Sequence, residues 1–139
     1  MLLTACTGGT FLHEYHDVDL WGWNADDTVT FHLPVITRGG KVEAEVGVRF
    51  TNSYRYKDLL LLGIVERDDE VVRTDTVRVN IYRENGTDTG EGFPYITTEQ
   101  RAVTFEVDSG HVYRYRIVHL MSPGPTKGIC GIGLKLREE

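Results

Sequence analysis

Between Lys41 and Phe50 the side chains alternate without a break. Val42, Ala44, Val46, Val48 and Phe50 are apolar, and Glu43, Glu45, Gly47 and Arg49 lie between them. A period of two is the signature of a strand with one face on a core and one in water. The same pattern, less perfect, marks Phe11–Leu20, Thr28–Leu33 (Val29, Phe31, Leu33), Val71–Tyr82 (Val77, Val79, Ile81) and Ala102–Val107 (Val103, Phe105, Val107). Asp58–Val65 departs from it, being apolar at successive positions. Such a strand is either covered on both faces or presents an apolar patch.

The C-terminal third reads as a hairpin. Tyr113, Tyr115, Ile117 and Met121 share one face with His111 and His119, and in the returning segment Cys130, Ile132, Leu134 and Leu136 share another. Ser122-Pro123-Gly124-Pro125 cannot continue either strand, because proline removes a ladder donor and glycine supplies turn dihedrals. A connection of about six residues predicts an antiparallel pair. Asn24–Asp27, Pro34–Gly40, Glu66–Glu70, Glu84–Gly92 and Asp108–Gly110 are the other turns and loops, with Phe93–Ile96 restarting extended structure. About eight strands with no amphipathic helix predict an all-β fold, an antiparallel β-sandwich of jelly-roll-like type. Residues 1–10 are expected to form a lipobox remnant and tether, and residues 11–139 a single sandwich domain.

With 139 residues, the chain is long enough to bury a full core without staples. The apolar and charged fractions, 40% and 26%, are those of a globular domain rather than a disordered one. A formal net charge of −6 argues against nucleic acid, whose binding rests on neutralising phosphates. Cys6 ends the run Leu3-Thr4-Ala5-Cys6, the shape of a bacterial lipobox in which the thiol becomes the lipid attachment point. Met1 and Leu2 are too short to supply the basic and apolar regions of an export signal peptide, which is therefore expected upstream. With Cys6 acylated, Cys130 reads as a small buried hydrophobe.

Candidate chemistry is sparse. In His13-Glu14-Tyr15-His16-Asp17 the histidines are three apart, so on a strand they face opposite ways and do not form a metal pair. Asn85, Asp88 and Glu91 offer oxygens but lack the calcium-loop order. There is no nucleophile elbow and no phosphate loop, so neither an enzyme nor a cofactor or metal is expected. Aromatic residues carry more. Trp21 and Trp23, and separately Tyr54 and Tyr56, are spaced to put both rings on one side, as a sugar-stacking platform requires, or to pack into the sandwich. Tyr54, Tyr56, Leu59 and Leu61 are the expected partner surface if the leucine run is uncovered.

Across nearly its whole length the chain resembles the gliding-motility lipoprotein GldH family. The resemblance runs through Trp23 and Asp27-Thr28-Val29-Thr30-Phe31, then Tyr54-Arg55-Tyr56-Lys57-Asp58 with the leucines that follow, and Thr74-Asp75-Thr76. It ends in Tyr113–Met121 and Gly128–Leu134. Asp58 and Leu60 stand where the family usually has Asn and Trp, Ser122 where it has Arg, and Tyr82–Gly92 keeps glycines without the family's Trp. The resemblance implies acylation at Cys6 and an outer-membrane lipoprotein, facing the periplasm, that serves the gliding and type IX secretion apparatus. Its implied partners are envelope proteins of that apparatus and, through the anchor, the membrane. A carbohydrate-binding β-sandwich using Trp21 and Trp23 is the alternative.

Overall fold

The structure is a computed structural model that describes residues 9–121 and 125–139; Cys6 lies outside the described residues. Eight strands follow one another: β1 (Thr10–Asp17), β2 (Val29–His32), β3 (Gly40–Phe50), β4 (Asp58–Arg67), β5 (Glu70–Asn80), β6 (Ile96–Val107), β7 (Tyr113–His119) and β8 (Ile129–Glu138). They form two four-stranded antiparallel sheets, ordered β1-β8-β3-β6 and β2-β7-β4-β5. This interleaving is that of a jelly roll, and no helix occurs among the described residues.

Alternation places the core where the sequence pattern does. Val42, Ala44, Val46, Val48 and Phe50 of β3 are buried, and with Ile132, Leu134 and Leu136 of β8 they face Leu59, Leu61, Tyr115 and Ile117 of the other sheet. Each such side chain removed from water stabilises the fold by about 1.5–3 kcal/mol before entropy is set against it. On the outer face of the first sheet, the Tyr15 ring lies across Gly47 and Gly133; a Cβ on Gly133 would stand 2.6 Å from that ring. The Arg49 guanidinium caps the ring at 3.8 Å, fastening edge strand β1 to the sheet.

The C-terminal hairpin is corrected. β7 pairs with β2 and β4, whereas β8 pairs with β1 and β3 in the opposite sheet. Only β4 and β5 are consecutive neighbours within one sheet. The connection runs over 120–128, longer than the six residues expected, and crosses from sheet to sheet; alternation alone does not distinguish such a crossing from a hairpin. Strands β7 and β8 are instead the inner strands of their sheets, each flanked on both sides. The β8 face also shifts at its start. An irregularity beside Phe50 makes Ile129 the fully buried residue and leaves Cys130 half-buried, its Sγ 3.5 Å from the Arg49 carbonyl.

The leucine run has two different faces. Leu59, Leu61 and Val65 are core, while Leu60, Leu62 and Ile64 point outward and are half-buried, with Val118 of β7 opposite Leu62. Farther along the same outer face, Glu66 accepts from Arg114 at 2.9 Å and from Arg116. The Arg116 hydrogen bond, joined by Arg114 and opposed by loss of water, holds the Glu66 carboxyl below its ordinary range. On edge strand β5, the Arg73 guanidinium grips Asp75 through two contacts at 2.7 and 3.2 Å. Charge on an edge strand discourages pairing with another chain.

Candidate functional site

The antiparallel registers sort the connections to two ends of the sandwich. At one end lie Thr10, the loop 33–39, the turn at Asp68 and Asp69, residues 108–112 and the end of β8. Here the chain turns tightly. Asp68 and Asp69 take left-handed φ values of 53° and 69°, and Asp68 accepts from the Val112 amide at 2.9 Å and contacts His111 at 2.5 Å. The Val112 hydrogen bond, then that of His111, lowers the Asp68 pKa. The far end carries the longer connections 18–28, 51–57, 81–95 and 120–128.

Far-end loops are nailed down by buried aromatics. In 18–28 the Gly22 amide donates to the Asp19 carbonyl at 3.1 Å, and the Trp21 amide to Asp19 Oδ1 at 3.0 Å. This turn reverses the chain between the two indoles, so Trp23 is fully buried while Trp21 is 76% exposed. Trp23 Nε1 donates to the Asp27 carbonyl at 2.8 Å, and the ring meets His119 edge-on at 5.0 Å. The His119 Nε2 lies 2.8 Å from the Trp23 carbonyl. The expected Trp21–Trp23 stacking platform therefore does not exist.

Tyr54 does for 51–57 what Trp23 does for its loop. It is buried, its hydroxyl donates to the Asp58 carbonyl at 2.6 Å, and the Tyr54 carbonyl accepts from the Tyr82 hydroxyl at 2.9 Å. Burial pushes the Tyr54 hydroxyl pKa well up. Gly128, at φ 95°, passes so close that a Cβ there would stand 2.4 Å from the Tyr54 nitrogen. Tyr56 leans edge-on against Tyr54 at 5.7 Å and is 59% exposed.

The expected partner surface is thus corrected at three of its four positions. Leu59, Leu61 and Tyr54 are core residues, because their strand face or loop turns them under the opposite sheet; only Tyr56 meets solvent. Among the described residues, the large apolar side chains exposed at the far end come from four separate loops: Trp21, Tyr56, Leu120, and Phe93 at 95%. Beside Tyr56 the surface dips into a shallow, open cavity of about 670 Å3, lined by Tyr56, Tyr82, Arg55, Lys57, Arg83 and Glu84, with Tyr54 at its floor. Lys57 pairs with Glu84, and Arg83 donates to the Asp88 carbonyl. The three cations escaped the sequence reading because Arg83 lies far along the chain from Arg55 and Lys57; only the fold brings 51–57 against 82–86.

No group of three or more metal-type side chains converges among the described residues. His13 reaches Glu99 only at 4.0 Å, and His16 stacks on Phe31 at 4.4 Å. Asn85 Oδ1 accepts from both the amide and the hydroxyl of Thr87, at 3.1 and 2.7 Å, and so closes its own turn. His111 and His119 lie at opposite ends of the sandwich.

The sequence model of the GldH lipoprotein family matches residues 10–136, which takes in strands β1 to β7 and all but the last two residues of β8. The chain belongs to the GldH lipoprotein family. It is 26% identical over 146 residues to the gliding motility lipoprotein GldH of Flavobacterium johnsoniae, covering 100% of this chain and 91% of that one. It is 27% identical over 93 residues to a gliding motility lipoprotein GldH homolog of Christiangramia forsetii, covering 67% of this chain and 56% of the other. Among solved structures, the sugar-binding C-terminal domain of EclA aligns with 98% of this chain and 81% of its own, with a TM-score of 0.45 and 11% identity. For this GldH-family chain the jelly roll is read from its own strand order.

Proposed function

We propose that this GldH-family protein is a lipid-anchored, non-enzymatic accessory subunit of the cell envelope that supports the motility apparatus and the type IX secretion linked to it. Acylation at Cys6 fixes it to the outer membrane, facing the periplasm, and its partners are envelope proteins of that apparatus. A lipid anchor locates a domain but does not itself recognise anything, so recognition falls to the sandwich surface. The observation that carries the reading is the division of labour between the two ends. The tether joins at Thr10, at the end whose exposed large apolar residues are the valines Val35, Val71, Val72 and Val112, whereas the exposed aromatic side chains Trp21, Tyr56 and Phe93, with Leu120, lie at the far end. Exposed aromatics with adjacent arginines are the side chains that dominate protein interfaces.

Intact mass of protein recovered from membranes, expressed from the full reading frame, tests the anchor. Wild type should carry the added mass of diacylglycerol and an acyl chain, and Cys6→Ala should carry neither and leave the membrane fraction. An unmodified wild-type mass refutes anchoring.

A further inference from the structure

We propose that the far-end cavity binds a carboxylate-bearing pyranose, a uronate unit of an acidic polysaccharide. The inference stands on the cavity alone and does not require the motility reading. Three features select this ligand. The first is charge. Three cations, Arg55, Lys57 and Arg83, line the cavity against the single carboxylate of Glu84, in a chain whose formal net charge is −6. Glu84 is neutralised by Lys57, Arg83 is tied to the Asp88 carbonyl and the Thr87 hydroxyl, and Arg55 has no carboxylate partner among the described residues. A guanidinium without a carboxylate partner offers the forked donor pair that a ligand carboxylate accepts.

The second feature is the ring surface. Tyr56 is held edge-on by buried Tyr54, leaving most of its ring in solvent at the rim of the cavity. The C–H face of a pyranose is flat and apolar and packs on such a ring, while its hydroxyls meet the polar wall. The third is shape and rigidity. The depression is shallow and open, so a sugar can lie across Tyr56 from solvent, and its described lining comes from connections rather than strands, so an extended peptide finds no ladder to join. Tyr54, Tyr82 and Gly128 lock the 51–57 loop before any ligand arrives, which lowers the entropic cost of binding.

Titration calorimetry of the 139-residue chain with trigalacturonate, galactotriose and hexaglutamate tests the proposal. Trigalacturonate should bind at least tenfold more tightly than galactotriose, and its affinity should fall with added salt. Arg55→Glu should cost the acidic sugar at least tenfold, Tyr56→Ala should weaken both sugars, and Val35→Ala, exposed at the opposite end of the sandwich, should change neither. In the wild-type protein, amide chemical shifts should move at residues 52–57 and 82–86 on adding trigalacturonate, a readout that no variant's folding affects. Equal binding of the neutral sugar, indifference to Arg55→Glu, hexaglutamate binding in place of the sugar, or shifts elsewhere would each overturn it. So would no binding at all.

Discussion

Trp21-Gly22-Trp23 and Tyr54-Arg55-Tyr56 each set two aromatic rings two residues apart, and each splits them. Trp23 and Tyr54 are buried, Trp21 and Tyr56 exposed. The buried ring does the same work in both loops, donating through its polar tip to a carbonyl four residues on: Asp27 for Trp23, Asp58 for Tyr54. A loop cannot satisfy its own backbone as a ladder does, so one amphipathic ring supplies both the apolar mass and the donor that fix it. Its neighbour is then free for contact with something else. The leucines of β4 behave in the opposite way: Leu59 and Leu61, also two apart, share one face and are both buried.

The largest way to break this comparison is to charge the strand. Leu61→Asp leaves an unpaired carboxylate in the core and should cost at least about 5 kcal/mol, comparable with the whole stability of a small domain, so urea melts should show no folded baseline. Leu62→Asp, on the half-buried outer side, should keep a cooperative transition. Next comes Trp23→Ala, expected to lose about 3–5 kcal/mol by cavity formation. Tyr54→Phe keeps the ring but strands the Asp58 carbonyl, and should cost about 1–3 kcal/mol. Trp21→Ala and Tyr56→Ala should stay within about 0.5 kcal/mol of wild type. If Trp21→Ala proves as damaging as Trp23→Ala, the two rings do not divide their roles.

A smaller effect sharpens the contrast between the ends by pH. The Glu66 carboxyl, its ordinary value being 4.5, titrates lower in the folded chain because Arg116 and Arg114 hold it. A lowered folded pKa stabilises above the unfolded value and is lost as pH falls through the folded one. Wild-type stability should therefore drop more steeply than that of Glu66→Gln from about pH 4.5 downward. At the far end Lys57 likewise holds the Glu84 carboxyl below its ordinary range, but that pair is solvent-exposed, so Glu84→Gln should change the acid limb of the stability curve less than Glu66→Gln does.

Much of the fold was legible because strands obey period two. The buried sets Val42–Phe50, Val77–Ile81 and Tyr113–His119 follow the alternation, whereas the turn expected over Glu66–Glu70 shrinks to Asp68 and Asp69, with Glu66, Arg67 and Glu70 paired in β4 and β5. The sheet assignment of β7 and β8 was not legible, since the length of a connection does not say whether it turns back or crosses the core. The site was the least legible part. Period two fails in the turn closed by Asp19 and Gly22 and again between Thr51 and Asp58, where hydrogen bonds decide which ring goes under. The cavity cations Arg55 and Arg83 are 28 residues apart in sequence and meet only because β4 and β5 return the chain to the same end.

The most direct test of the far-end account is site-specific photocrosslinking in the native envelope, with benzoylphenylalanine at Trp21, Tyr56 or Phe93, and at Val35 on the tether end, itself 86% exposed. The account predicts discrete crosslinked adducts from the far-end positions and none of the same size from Val35. Adducts from Val35 alone, with Trp21, Tyr56 and Phe93 silent, would contradict it and move recognition to the end from which the tether leaves.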